Sequence, residues 1–314
     1  MAARIVMKLR VDDVQASTPD VSVFTLRHPR RAHLPPFTAG AHVDLRLPDG
    51  RIRQYSLCSD PADTTAYRIA IKREDAGRGA SLWAHGALVP GTTALVSEPR
   101  NNFPLASGAD RHVLIAGGIG VTPFLAMAHQ LRQEDADYVL HYCARSSRAP
   151  VLTELQAVCG RRLVTYFADD PASTRFDPAS IGGPAPGVHV YCCGPQRLID
   201  AVRQATAHWP EAQVHFEVFQ ATIDENFRAE PFDLTLASTS ETLRVPAEQS
   251  ALDVLRAHGV VLPSSCELGV CGACECGYRD GVVIHRDSVL GTAARQDRMM
   301  LCVSRARVAV TLDL

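Results

Sequence analysis

Apolar and polar residues alternate in short runs through the first third of the chain, at Val21 to Leu26, Ala41 to Leu47 and Tyr67 to Lys72. A period of two lays one face of each run against a core, so each predicts a strand. Pro48, Asp49 and Gly50, and later Pro90 with Gly91, interrupt the pattern where turns belong. Short strands with frequent turns predict a small antiparallel Greek-key β-barrel over residues 1–106. From 107 to 225 the pattern changes. His112 to Ala116, Tyr138 to Cys143, Arg162 to Phe167 and Val188 to Cys192 are short apolar runs, with helical stretches such as Pro123 to Leu131 between some of them. That alternation predicts an α/β domain built on a parallel sheet. Residues 220–232 are polar and aperiodic, with 226–232 read as a linker. A third domain spans 233–314. Phe232 to Ala237 and Glu241 to Val245 predict a hairpin, and Ala251 to Ala257 a helix stopped at Gly259.

Composition narrows the class. The 314 residues exceed what one core organises, and 46% apolar with 21% charged content is that of a globular protein. A formal charge of −2 gives no reason to expect nucleic acid or an acidic membrane as partner. The first residues, Met1 to Lys8, are too short and too charged for a secretory signal. The longest apolar stretch, Val113 to Ala128, is broken by Gly117, Gly118, Gly120 and Pro123, which argues against a membrane span. Ten cysteines without an export signal predict a reducing, cytoplasmic setting in which thiols hold metal or stay buried.

Four of those cysteines carry the strongest chemical signal. Four residues separate Cys266 from Cys271, two separate Cys271 from Cys274, and Cys302 stands apart. This is the spacing of a plant-type [2Fe–2S] site. Two irons and two sulfides need four thiolates in a small volume, and Gly269 and Gly272 let the loop backbone approach without a β-carbon in the way. Zinc sites favour two CxxC-like pairs or mixed Cys and His sets, which this run matches poorly. Cys276 is a bystander. The hairpin, helix and cluster loop together predict a ferredoxin-like β-grasp domain.

Arg53-Gln54-Tyr55-Ser56-Leu57 sits at the end of a candidate barrel strand. Alternation sets Arg53 and Tyr55 on one face, Gln54 and Ser56 on the other. A cation for phosphate, a ring for a flat heterocycle and a hydroxyl for a ring nitrogen suit a flavin, though such a string alone is more often plain half-buried strand. Gly77-Arg78-Gly79-Ala80-Ser81 precedes a helix, where unpaired N–H groups attract anions, though any capped helix looks similar. Together the two strings make a phosphate pocket. Gly117, Gly118 and Gly120, with Thr122 and Pro123, follow a strand and open a helix, the context for a dinucleotide pyrophosphate or for a simple turn. Cys192-Cys193-Gly194-Pro195 follows the strand that ends at Tyr191. Arg145, Ser146, Ser147 and Arg148 follow Tyr138 to Cys143, where arginine tilts the charge pattern toward NADPH.

The order RxYS, GRGxS, Glu98 to Phe103, glycine loop and CGP resembles the ferredoxin-reductase superfamily. The C-terminal cluster motif, with His285 to Asp287 and Met300 to Ala306, narrows the resemblance to phthalate dioxygenase reductases and vanillate demethylase reductases, over nearly the whole chain. That resemblance implies FMN, with Arg53 and the turn Gly79 to Ser81 on its phosphate. It implies Tyr55 and Ser56 at the isoalloxazine, Ile71 and Lys72 lining it, and Phe219 at its border. Ala80 stands where the family commonly has glycine, and a positive φ there would be strained. The resemblance places Cys193 at the nicotinamide, which makes Ser56 and Cys193 the side chains at the reacting rings, and favours NADH over the local charge cue. NADH gives a hydride, the cluster takes one electron, and a flavin can exchange with both. The expected protein is a monomeric NADH-dependent reductase component of a Rieske-type oxygenase in aromatic catabolism. A haem monooxygenase as acceptor and a non-enzymatic electron carrier are the alternatives.

Overall fold

The computed structural model describes residues 5–77, 79–146, 148–219 and 227–314. Arg78, Ser147 and the linker residues 220–226, named above, lie outside them. The chain divides into two compact units, Met1–Glu217 and Val218–Leu314.

The first unit begins with seven antiparallel strands: β1 (Val6–Thr18), β2 (Val21–Arg27), β3 (Ala41–Arg46), β4 (Ile52–Ser56), β5 (Tyr67–Lys72), β6 (Thr93–Ser97) and β7 (Arg100–Asn101). Their order is β4-β3-β6-β1-β2-β5, with β7 on β3. A bridge between Leu57 and Ile69 joins the two ends of the sheet, so it closes on itself. Closure removes the exposed edges and encloses Leu9, Val11, Phe24, Val43 and Ile69. Helix α1 (Ala80–Ala87) packs beside β5, where His85 Nε2 donates to Ile71 O at 2.9 Å.

The RxYS string ends strand β4, as expected. β1 was not expected at all: its period of two is broken by register shifts at Val11/Asp13 and Ala16/Thr18, which are bulges, so its sequence does not alternate over its length.

The same unit continues into five parallel strands, β8 (Arg111–Gly117), β9 (Asp137–Ala144), β10 (Leu163–Phe167), β11 (Val188–Cys193) and β12 (Val214–Glu217). Helices α2 (Thr122–Gln133), α3 (Leu152–Cys159) and α4 (Gln196–Ala205) connect or flank them. The order β10-β9-β8-β11-β12 reverses direction between β8 and β11. That reversal opens a crevice at the carboxyl ends of β8 and β11. A single buried apolar cluster runs from Leu9 of the barrel to Cys193 of the parallel sheet. Barrel and α/β part thus share one core, although their sequence patterns differ.

The second unit holds β13 (Phe232–Leu236), β14 (Thr242–Val245), α5 (Ala251–Ala257), β15 (Glu275–Ile284), β16 (Arg298–Met300) and β17 (Arg305–Leu312). The sheet order is β14-β13-β17-β15-β16, with β13 and β17 parallel. The hairpin and the helix lie where the pattern predicts, with Phe232, also counted at the end of the linker, starting β13. Ser250 and Asp253 form a capping box that fixes the start of α5. Phe232, Leu252, Leu255 and Met300 are buried in this unit's own core. Among the described residues no helix is long and apolar enough to cross a membrane.

Candidate functional site

β4 pairs antiparallel with β3, setting Tyr55 opposite Val43 and Ser56 opposite His42. Tyr55 packs against the apolar core, and burial pushes its phenol up to about 12. Arg53 is half-buried, and its Nη1 donates to Ile52 O at 2.7 Å. Gln54 turns the other way. Its amide donates to Asp44 Oδ1 at 3.3 Å and meets His42 Nε2 at 3.0 Å, while Arg100 donates to Asp44 Oδ1 at 2.6 Å. Gln54 therefore serves a buried polar network of the barrel. An amide NH2 only donates, so His42 Nε2 accepts and the ring is neutral, in keeping with burial and Arg100 lowering its pKa to about 4.

Gly79 caps α1 at φ 83, and Ala80 already has ordinary helical geometry, so the strain feared for Ala80 falls on the glycine. Ser81 lies inside the first turn rather than before it. Its Oγ accepts from Glu74 N at 3.0 Å, which leaves the hydroxyl proton for another acceptor. Ile71 is fully buried, and Lys72 Nζ pairs with Glu74 at 2.6 Å.

At the crevice, Gly117 ends β8, a 3-10 turn covers Gly118–Val121, and α2 begins at Thr122 with Pro123 in its first turn. A β-carbon on Gly117 would lie 2.5 Å from Pro195 Cδ, and one on Gly120 would lie 2.5 Å from Cys193 O. These glycines are needed for the two loops to touch. Gly118 has φ +54 with nothing within 4 Å, so its site faces open space. Thr122 is buried, its hydroxyl donating to Ile119 O at 3.1 Å. Arg145 and Ser146 follow β9, tied by Asp169 N to Arg145 O at 2.8 Å and Arg148 N to Ser146 Oγ at 3.3 Å.

β11 and β12 pair Cys193 with Glu217. Burial pushes the Glu217 carboxyl up to about 8, while a hydrogen bond from Ser56 pulls against the shift. Glu217 Oε2 is buried without a hydrogen-bond partner. Burial, with Glu217 nearby, holds the Cys193 thiol well above its ordinary value. Ser56 of the barrel, Cys193 of the CGP loop and Glu217 thus converge, and Glu217 is the functional candidate missed in the sequence. No motif marks it: a glutamate ending an apolar strand is conspicuous only once its neighbours are known. Phe219 is 36% exposed and belongs with the second unit.

In the second unit the four thiols come together as two contacting pairs, Cys266 with Cys271 and Cys274 with Cys302. Among the described residues no three His, Cys, Asp or Glu side chains are arranged around one metal ion. Pairing suits a binuclear cluster better, since each tetrahedral iron takes two thiolates beside two bridging sulfides. The neighbouring Cys271 thiol and backbone N–H groups, Leu268 N at 3.3 Å among them, favour the Cys266 thiolate and hold its pKa down. Gly269 and Gly272 have φ of 74 and 73, the left-handed turn that the approach requires. Cys276 is buried and points to Gly277 O.

Comparison with known proteins places the fold in a known family. Residues 234–307 match the 2Fe-2S iron-sulfur cluster binding domain, and 94–213 match the dimethylamine monooxygenase subunit DmmA-like, N-terminal domain. Phthalate dioxygenase reductase of Burkholderia cepacia is 41% identical over 313 residues, covering 98% of this chain and 97% of that protein. A solved phthalate dioxygenase reductase, described as a modular structure for electron transfer from pyridine nucleotides to [2Fe-2S], aligns over 98% of both chains with TM-score 0.74 and 40% identity. An intact type IV self-sufficient cytochrome P450 monooxygenase aligns over 99% of this chain with TM-score 0.87 and 39% identity; this chain spans only 41% of its length.

Proposed function

This chain belongs to the phthalate dioxygenase reductase family, and from that premise we propose that it takes hydride from NADH onto FMN and passes single electrons through a [2Fe–2S] cluster to a Rieske-type oxygenase. The observation that carries this reading is the meeting of Ser56 with the buried Glu217 carboxyl, which lies opposite Cys193 across the strand pair. It unites the barrel's RxYS strand with the crevice of the parallel sheet, where a flavin ring and a nicotinamide must meet. We assign FMN to residues 1–106, the nicotinamide nucleotide to 107–225 and the cluster to 233–314. In this form the protein is a cytoplasmic monomer whose acceptor is a separate protein.

Bound FMN supplies the exchange between a two-electron donor and a one-electron acceptor. Arg53, the N–H groups at the start of α1 and the Ser81 proton hold its phosphate. Tyr55, neutral at working pH, offers its ring as a platform, with Ile71 and Lys72 alongside. Gly118 and the start of α2 receive the pyrophosphate, and Arg145 and Ser146 the adenosine end. Cys193 is a neutral thiol, so it packs beside the nicotinamide without reacting. Glu217, protonated through neutral pH, keeps a proton beside Ser56 and leaves the ring site uncharged. Stopped-flow mixing with NADH tests the order: flavin bleaching must precede cluster bleaching, and cluster reduction in FMN-stripped protein refutes it. The similarity to a P450 monooxygenase supports a second reading, a haem acceptor. Reconstitution with a Rieske oxygenase and with a haem monooxygenase separates the two by which one turns over.

A further inference from the structure

We propose that Asp287 is a positioning residue for the cluster: it holds the peptide that donates to the cluster sulfurs, and its fixed negative charge lowers the reduction potential. This rests on the reading that Cys266, Cys271, Cys274 and Cys302 carry a [2Fe–2S] cluster. The Asp287 side chain has no solvent exposure. Its Oδ2 accepts from Val289 N at 3.1 Å and Leu290 N at 2.8 Å, which builds a turn. That turn aims the Ser288 N–H at Gly269 O, 3.0 Å away, in the cluster loop.

The Gly269 carbonyl belongs to the same peptide as the Val270 N–H, which donates to Cys266. The Gly269 N–H reaches both Cys266 and Cys302. Pulling on the carbonyl polarises the peptide and strengthens its N–H as a donor. A β-carbon on Gly269 would lie 2.6 Å from Val303 Cγ2 and 3.2 Å from Asp287 Cα, so the loop tip rests directly on this turn.

The charge of Asp287 is only partly answered. Arg295 Nη2 stands 3.8 Å from Oδ2 and His285 Nδ1 3.6 Å from Oδ1, both beyond hydrogen-bond reach. Arg295 Nη2 donates instead to Asp287 O at 2.9 Å, and His285 Nε2 to Arg295 O at 3.1 Å. Oδ1 has no hydrogen-bond partner. A turn needs only an acceptor oxygen, which asparagine provides without the cost of a buried charge. The carboxylate's remaining effect is electrostatic: it opposes the electron that reduction adds to the cluster, in a setting where water screens little.

The test compares Asp287→Asn with Asp287→Ala in the full chain. Midpoint potentials are measured by titration followed by electron paramagnetic resonance, with iron and sulfide contents for each protein. Asp287→Asn keeps the acceptor and should hold a full cluster at raised potential with the wild-type g-values. Asp287→Ala should shift the g-values as well, because the Gly269 peptide is released. A full cluster at unchanged potential in Asp287→Asn overturns the proposal. Should that variant not hold a cluster, Arg295→Gln decides: removing the nearby cation should lower the potential, and an unchanged or raised value overturns the proposal. Absence of acid-labile sulfide from the wild-type chain would instead overturn the cluster reading itself.

Discussion

Glu217 shows how one side chain changes meaning between sequence and structure. In the string Val214 to Glu217 it looks like the polar end of a strand; folded, it is a carboxyl raised to about 8 beside Ser56 and Cys193. A raised folded value means that between about pH 4.5 and 8 the native state keeps a proton that the unfolded chain releases. The native state therefore loses stability as pH rises through that window. Glu217→Gln should melt at higher temperature than wild type at pH 8, on the order of a few kcal/mol more stable, with the difference closing near pH 4. Thermal melts across pH check this; equal melting temperatures at pH 8 contradict it. His42 has the opposite sign. Its value is lowered to about 4, so the unfolded chain binds the proton first and stability falls as pH drops from about 6.5 to 4. Replacing His42 with Gln should flatten that acid limb by about 2–3 kcal/mol, read from denaturant midpoints at pH 4.5 and 7.

Among the elements, the contact between the β8 and β11 loops is the tightest part of the site. The glycines there read in the sequence as a phosphate loop, yet Gly117 and Gly120 are also required by close approach to the Pro195 ring and the Cys193 carbonyl. Gly120→Ala drives its new methyl into the Cys193 carbonyl and should cost about 1–3 kcal/mol by overpacking. It should also displace Cys193 and raise KM for NADH several-fold. Steady-state dye reduction measures the latter, and a wild-type KM in a folded variant contradicts it. Gly118→Ala meets no such wall and strains only φ, so its stability loss should be smaller. Periodicity alone identified β3, β5 and α5 to within a residue or so, because each repeats without bulges. It missed β1, whose bulges interrupt the alternation.

For the whole molecule, the division of labour between the units makes the last prediction. The residues proposed for flavin and nicotinamide all fall in the first unit except Phe219, and the four cysteines proposed for the cluster all fall in the second. Cys266→Ser removes one thiolate of the first pair, so NADH-driven dye reduction should stay within about two-fold of wild type. Electron delivery to an oxygenase should fall by at least about two orders of magnitude. Assay of both activities on one preparation checks this, and surviving delivery in protein without iron contradicts it.

The candidate cluster site was legible in the sequence because its chemistry is local: three candidate ligands and two glycines lie within nine residues, from Cys266 to Cys274. The β-grasp helix, the parallel strands and the RxYS and CGP strings were legible for the same reason, since period and turn chemistry are properties of neighbours along the chain. What only the tertiary structure decided lies across long separations. Ser56 meets Glu217 from another sheet, Gln54 is claimed by His42 and Asp44, and Asp287 comes under a loop whose tip is Gly269. Such meetings depend on sheet order and closure, which long-range packing sets and no short pattern encodes.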